Sequence, residues 1–209
     1  PVASAEIADQ IKKSNKTTVA VIREVGASGS YWAASACNKI FANKNAMVGS
    51  IGVIGSYVEY AGLMDRYNLT YRRLVAGAHK DTGTPFKKLG SEEERLLQSK
   101  IDILYSNFVS EVAVNRKMNV TKVETLADGF VYLGDEALGL GLIDSIGGMD
   151  DAKDFVGGKL NITVDAVEYK KRPALMDLLG EAVSDWSYKV GYGVGDSILA
   201  SGEDLKIRA

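Results

Sequence analysis

This chain predicts an α/β protein built on a largely parallel sheet with flanking helices, and three observations lead there. Short runs rich in β-branched residues alternate with segments whose apolar residues recur at helical spacing, the order of strand–helix–strand units. The first of those runs, residues 18–25, is almost continuously apolar, as in a strand covered on both faces. At 209 residues the chain is long enough for one sizeable core.

The elements follow in order. Ala3, Ile7 and Ile11 recur every four residues and open the chain in a helix. After the strand of residues 18–25 comes a helix over about 28–38, a short strand at 39–42 and a turn at Asn43-Lys44-Asn45. Residues 48–54 carry Gly49 and Gly52 among β-branched neighbours and read as a strand with tight bends. A helix is predicted over 59–67 and a strand over 70–76, followed by a loop containing Gly77, Gly83, Pro85 and Gly90. Ser91 then caps a long helix and Glu94 completes a capping box. Its apolar face is Leu97, Ile101, Leu104, Phe108 and Val112, and it runs about 40 Å at 1.5 Å per residue, long enough to brace the domain or a neighbour. Short elements follow: a strand at 130–133, a helix at 135–139, a helix at 150–156 and a last strand at 162–169.

Two domains are expected: residues 1–172, and a tail of 173–209. In the tail Leu175, Leu178, Leu179, Ala182, Trp186 and Val190 share one helical face, so an amphipathic helix is expected there. Its acidic residues Asp177, Glu181 and Asp185 argue against docking on anionic lipid.

Composition narrows the function classes. The net charge is −2 and the pI about 5.6, so nothing calls for a nucleic-acid partner. The basic pairs Lys87-Lys88 and Lys170-Lys171 read as solvated surface. Cys37 is the only cysteine, which excludes an internal disulfide, and it reads as a small core residue. No stretch reaches the ~20 apolar residues of a membrane span. Sequons at Asn15, Asn68, Asn119 and Asn161 are compatible with export and carry little weight. No glycine loop for phosphate and no metal-ligand cluster occurs, so no cofactor is expected.

The chemistry concentrates in Gly26-Ala27-Ser28-Gly29-Ser30-Tyr31-Trp32, between the first strand and the second helix. A hydroxyl at such a corner lies beside the amides that open the helix, a ready pocket for a developing oxyanion. Ser28 then needs a base. His79 is the only histidine and Lys80 adjoins it; on an extended backbone only one of them could face Ser28. A histidine base usually needs a carboxylate to orient it, and Asp81 is poorly placed for that. A lysine base must be neutral, against an ordinary value of about 10.4 that burial lowers by several units. A nearby carboxylate opposes this, whereas a hydroxyl such as that of Ser50 can hold the amine. Ser30 departs from the Gly-x-Ser-x-Gly elbow of α/β-hydrolases, and no histidine follows downstream to serve that arrangement. Singly, each residue has a plainer reading: Ser28 as a helix cap, Lys80 as a solvated loop residue, Ser50 as a turn residue, His79 as a surface histidine.

Together these segments resemble the signal peptide peptidase A family, serine–lysine peptidases of the ClpP/crotonase-like fold. Gly26-Ala27-Ser28-Gly29-Ser30-Tyr31-Trp32 is similar to the family's Ala-Ser-Gly-Gly-Tyr nucleophile segment, and Gly49-Ser50-Ile51-Gly52-Val53 to its Gly-Ser-Ile-Gly-Val stretch. Lys80-Asp81-Thr82-Gly83-Thr84-Pro85-Phe86-Lys87 is similar to its Lys-Asp-x-x-Ser-Pro-Phe-Arg base segment. Asp128-Gly129-Phe130-Val131-Tyr132 and the stretch from Ala137 to Asp144 match its downstream Asp-Gly-Arg-Val-Tyr and Ala-x-x-x-Gly-Leu-Val-Asp pair. The resemblance covers most of residues 1–156 and none of the tail.

The resemblance implies Ser28 as nucleophile, Lys80 as general base, the Gly29 amide as one oxyanion donor and Ser50 beside the lysine amine. It implies a second oxyanion donor from a Gly-Gly turn ahead of the first helix. That helix begins here at about Ala3, so the turn and its strand are expected to be missing. It further implies short apolar peptides, such as cleaved signal peptides, as substrates, a homo-oligomeric ring, and an N-terminal membrane anchor placing the domain outside the cytoplasm. Two alternatives stay open: a crotonase-like acyl-CoA enzyme, and an inactive peptide-binding ring scaffold.

Overall fold

Arg23 and Glu24 divide the first apolar run in the computed structural model of the protein, which describes residues 1–169. The halves, β1 (Val19–Ile22) and β2 (Val25–Ala27), enter different sheets. The expectation of one strand covered on both faces is thus corrected. Two adjacent charges leave opposite faces of a strand, and burying either without a partner is costly. Within residues 19–27 only Ile22 and Gly26 are buried.

In the first sheet β1 lies parallel to β3 (Lys39–Ala42), and β3 parallel to the short β6 (Ser145–Ile146). In the second, β2 lies parallel to β4 (Met47–Gly49), and β4 antiparallel to β5 (Val131–Leu133). The expected largely parallel α/β architecture is present, as two small sheets rather than one.

Seven helices complete the described residues: α1 (Val2–Lys13), α2 (Gly29–Ser35), α3 (Ala61–Arg66), α4 (Ser91–Arg116), α5 (Val120–Leu126), α6 (Gly134–Leu140) and α7 (Met149–Leu160). α1 buries Ala8 and packs Ala5 on the core, whereas Ile7 is 53% exposed. Its small residues let it approach α2: a Cβ on Gly29 would strike Ser4 Oγ. The N-cap of α4 is Gly90, whose amide donates to Glu93, one residue earlier than the capping box expected at Ser91 and Glu94. α5 was absent from the expected elements. Its signal is the N-cap Asn119, whose side-chain oxygen accepts from the Thr121 amide at 2.8 Å.

The core gathers where α2 and the second half of α4 meet the sheets. Trp32 stacks on Phe108 with centroids 4.5 Å apart and planes 7° off parallel. Phe108, Val109, Val112 and Ala113 are buried, while Leu96, Leu97 and Ile103 on the first half of α4 stay exposed. Two expected strands, 70–76 and 162–169, carry no regular structure, and the strand expected over 48–54 ends at Gly49. Cys37 is half-buried, and burial pushes its thiol up. Residues Pro1–Val164 form one compact unit, and the expected tail helix lies outside the described residues.

Candidate active site

β2 and β4 run parallel in the register Ala27↔Gly49, so the next residues on each strand, Ser28 and Ser50, leave the sheet side by side. The Ser28 amide donates to the Gly49 carbonyl at 2.7 Å, which fixes the corner. Both serines have positive φ, 53° at Ser28 and 48° at Ser50, and Gly49 between them has φ 98°. Non-glycine residues hold such angles at a cost of about 1–3 kcal/mol, and strain of this kind clusters where function needs it. At Ser28 the strain turns the chain from strand directly into α2.

Ser28 is the N-cap of α2, yet its side chain makes no capping hydrogen bond and the residue is exposed. The plainer reading, a serine spent on holding the helix start, therefore does not describe it. Gly29 opens α2, and the first amides of a helix have no partner within it. The neighbouring Ser30 directs its hydroxyl to the Ala27 carbonyl at 2.7 Å, which braces the corner from the other side.

Ser50 is held from the turn that leads into β5. Its amide donates to the Phe130 carbonyl at 2.7 Å and its hydroxyl to the Gly129 carbonyl at 3.2 Å. The Asp128-Gly129-Phe130 turn is closed in turn by the Phe130 amide donating to Asp128 at 2.8 Å. A hydroxyl that donates one hydrogen bond keeps its lone pairs for an incoming amine.

Lys80 is placed differently. It stands exposed in a run of turns over residues 77–84, and no hydrogen bond ties it to Ser28 or Ser50 among the described residues. Its neighbours are fully engaged. Arg73 forms a bidentate pair with Asp81, Nε to Oδ2 at 2.6 Å and Nη2 to Oδ1 at 2.9 Å. Lys87 bridges Asp81 at 3.5 Å and Glu93 at 2.8 Å, and Thr82 donates to Glu93 at 3.0 Å. The Arg73 hydrogen bonds hold the Asp81 carboxyl down at about 2. His79 faces Glu92 at 3.9 Å. Asp81, adjacent to Lys80 in sequence, is thus committed to two cations.

A family model described as peptidase family S49 matches residues 10–162, well over half of the chain. The chain belongs to peptidase family S49. It is 34% identical over 189 residues to the "Putative signal peptide peptidase SppA" of Enterococcus faecium, covering 88% of this chain and 55% of that protein. It is 30% identical over 192 residues to "Serine protease SPPA, chloroplastic" of Arabidopsis thaliana, covering 91% and 27%. With "Protease 4" of Haemophilus influenzae it shares 27% over 144 residues, covering 69% and 23%. Of the Enterococcus relative it thus spans about half the length.

Within this S49 chain the downstream motifs acquire physical roles. Gly141 ends α6 with φ 83°, a left-handed cap that favours glycine. Its carbonyl accepts from Arg116 Nε and Nη2 at 3.1 and 3.0 Å. The Arg116 guanidinium, 8% exposed, also grips Asp144 through Nη2 at 2.7 Å and Nη1 at 3.1 Å. Asp144 accepts from the Ile40 amide of β3 at 2.7 Å. Burial pushes the Asp144 carboxyl up, but these hydrogen bonds outweigh it and the group sits below its ordinary value. Tyr31, fully buried on α2, donates from its hydroxyl to the Leu142 carbonyl at 2.7 Å. Helix α2 is therefore tethered at Tyr31 to the same turn that Arg116 fixes. Arg73 and Arg116 were missed by sequence reasoning, and no spacing around either marks it out.

Proposed function

We propose that this S49 chain is the catalytic domain of a serine peptidase that works with a Ser28–Lys80 dyad on short apolar peptides such as cleaved signal peptides. The observation that carries the reading is Ser28 itself: strained, exposed, its hydroxyl free of capping duty, at the start of α2 and beside Ser50. Ser28 Oγ attacks a peptide carbonyl carbon while Lys80 takes its proton. The Gly29 amide stabilises the oxyanion. Lys80 returns the proton to the leaving amine, and a water activated by the same amine hydrolyses the acyl-enzyme. Membership of S49 favours this chemistry over an acyl-CoA reaction.

Exposure of Lys80 bears on the assembly. A lysine base works in a dry setting, so this one needs a covering surface. In this reading a neighbouring copy supplies that surface in a homo-oligomeric ring. Ile54, Leu63 and Leu74, all exposed on the same segment of chain, are suited to meeting a neighbour. Apolar side chains around the serine corner fit an apolar peptide: Phe130, whose carbonyl holds Ser50, is 70% exposed. No helix among the described residues is long and apolar enough to cross a membrane. A membrane anchor that places the domain outside the cytoplasm would be supplied elsewhere in the whole protein.

The test is hydrolysis of a fluorogenic apolar peptide by the whole protein. Ser28→Ala and Lys80→Ala should each lower kcat by about 10⁴-fold or more, and a fluorophosphonate should label Ser28. His79→Ala should keep most of the rate. A Lys80→Ala enzyme with near-normal turnover removes the dyad.

A further inference from the structure

Arg73 grips the chain on both sides of Lys80. Its Nη2 donates to the Ala78 carbonyl at 3.0 Å, two residues before Lys80, and its fork closes on Asp81, one residue after. The segment between these two anchor points is His79-Lys80. No regular strand or helix fixes it, because residues 70–90 contain none. The backbone beside Lys80 is otherwise held by turn bonds such as Lys80 N to Gly77 O at 3.1 Å and Thr82 N to His79 O at 3.2 Å. The second layer of the grip comes from α4: Lys87 and Thr82 both bind Glu93 in its first turn.

We propose that Arg73 is a positioning residue for the base: by clamping Ala78 and Asp81 it sets where the Lys80 side chain is presented, and it holds the Asp81 carboxylate away from the amine. This rests on the Ser28–Lys80 reading above. The shape of the guanidinium is what the role requires. One planar fork makes three hydrogen bonds to two partners, which a lysine ammonium on a flexible stem does not reproduce. The role also has an electrostatic side. The charged or titratable groups around the loop are Arg73, His79, Asp81 and Lys87 from the segment itself, and Glu92 and Glu93 from α4. Removing the guanidinium leaves the Asp81 carboxylate less compensated beside the base, and a carboxylate favours the charged, inactive amine. Removing the carboxylate has the opposite sign.

Steady-state kinetics of the whole protein on an apolar peptide test this, with Arg73→Met, Arg73→Lys, Asp81→Asn and Lys80→Ala side by side. Arg73 is well exposed, so its variants are expected to fold with an unchanged thermal midpoint. Arg73→Met should lose about 10- to 100-fold in kcat, the scale of a misplacement near 1 Å, with KM little changed. Arg73→Lys should recover less than half of that loss on a logarithmic scale. The acidic limb of the pH–rate profile should move to higher pH in Arg73→Met and to lower pH in Asp81→Asn. A near-normal kcat in Arg73→Met, full rescue by lysine, or limbs that do not move apart overturns the clamp. If Lys80→Ala is inactive in the same experiment, that failure belongs to the clamp alone. If Lys80→Ala is active, the dyad itself has failed and the clamp goes with it.

Discussion

Two regions contribute to the proposed site, and they are built by opposite means. The serine corner is set by backbone: parallel register between β2 and β4, an amide-to-carbonyl bond from Ser28 to Gly49, and the fully buried Tyr31 behind it. The loop that presents Lys80 is set by charge: one guanidinium, one carboxylate and one ammonium on an exposed segment, and a second carboxylate from the first turn of α4. A nucleophile needs a fixed direction and tolerates strain that a packed core can sustain. A base whose environment is completed by a covering surface needs instead a loop that stays accessible until that surface arrives. The comparison implies that the two halves fail differently.

The corner should fail with the whole domain. Arg116→Met removes the cation from a part-buried pair and leaves Asp144 and the Gly141 carbonyl without their common partner. Breaking a fully buried pair costs about 3–5 kcal/mol; with Asp144 27% exposed, about 2–4 kcal/mol is expected, or roughly 10 °C in Tm for a domain of this size. Differential scanning calorimetry should show that loss, and labelling of Ser28 by a fluorophosphonate should disappear over the same temperature range as the core melts. A Tm within about 2 °C of the parent would mean that Arg116 is not a core support, and would blur the contrast.

A smaller effect tests the packing that lets α2 start where it does. A Cβ at Gly29 meets Ser4 Oγ at a distance no pair of atoms accepts, and Ser4 Cβ at 3.3 Å. Gly29→Ala should therefore cost about 1–3 kcal/mol through displacement of α1. Adding Ser4→Ala should recover most of it, because the hydroxyl is the closer obstacle. Urea titration of the two single variants and the double variant gives the coupling directly. Additive losses would place the strain elsewhere.

Much of the corner was legible in the sequence, and the reasons are local. The 26–32 segment marks a strand-to-helix turn by its glycines, and Lys39–Ala42 reads as a strand from its own composition. Asp144, placed within a motif, turned out to anchor Arg116 and β3 together. The charged half was not legible to the same degree. Residues 70–76 include Thr70, Tyr71 and Val75, residue types that favour strands, but nothing among the described residues pairs with them in a sheet, and pairing rather than propensity makes a strand. Residues 18–25 failed as one strand because apolar content was weighed over the single Arg23-Glu24 interruption. Arg73 escaped notice because a lone arginine carries no period, and its partners become visible only once the loop is folded back on α4.

The smallest effect separates the two regions most cleanly, because it should touch one and spare the other. Asp81 has an ordinary value of 3.8 and is held at about 2 in the fold, first by hydrogen bonds from Arg73. Glu93 is likewise lowered, first by Lys87. A carboxylate with a depressed folded value contributes its full stabilisation above its unfolded value and loses it as pH falls through the folded value. The loop should therefore be intact above about pH 4 and loosen between about pH 4 and pH 2. Exposed pairs are screened by salt, so 1 M NaCl at neutral pH should loosen it in the same direction. Hydrogen exchange read by mass spectrometry should show faster exchange of the amides in residues 77–90 under both conditions. Amides in β2 and α2 should be unchanged in salt, since no ion pair among the described residues holds them. Equal acceleration in both regions would mean that the loop and the corner open as one unit, and the division between a backbone-built half and a charge-built half would not stand.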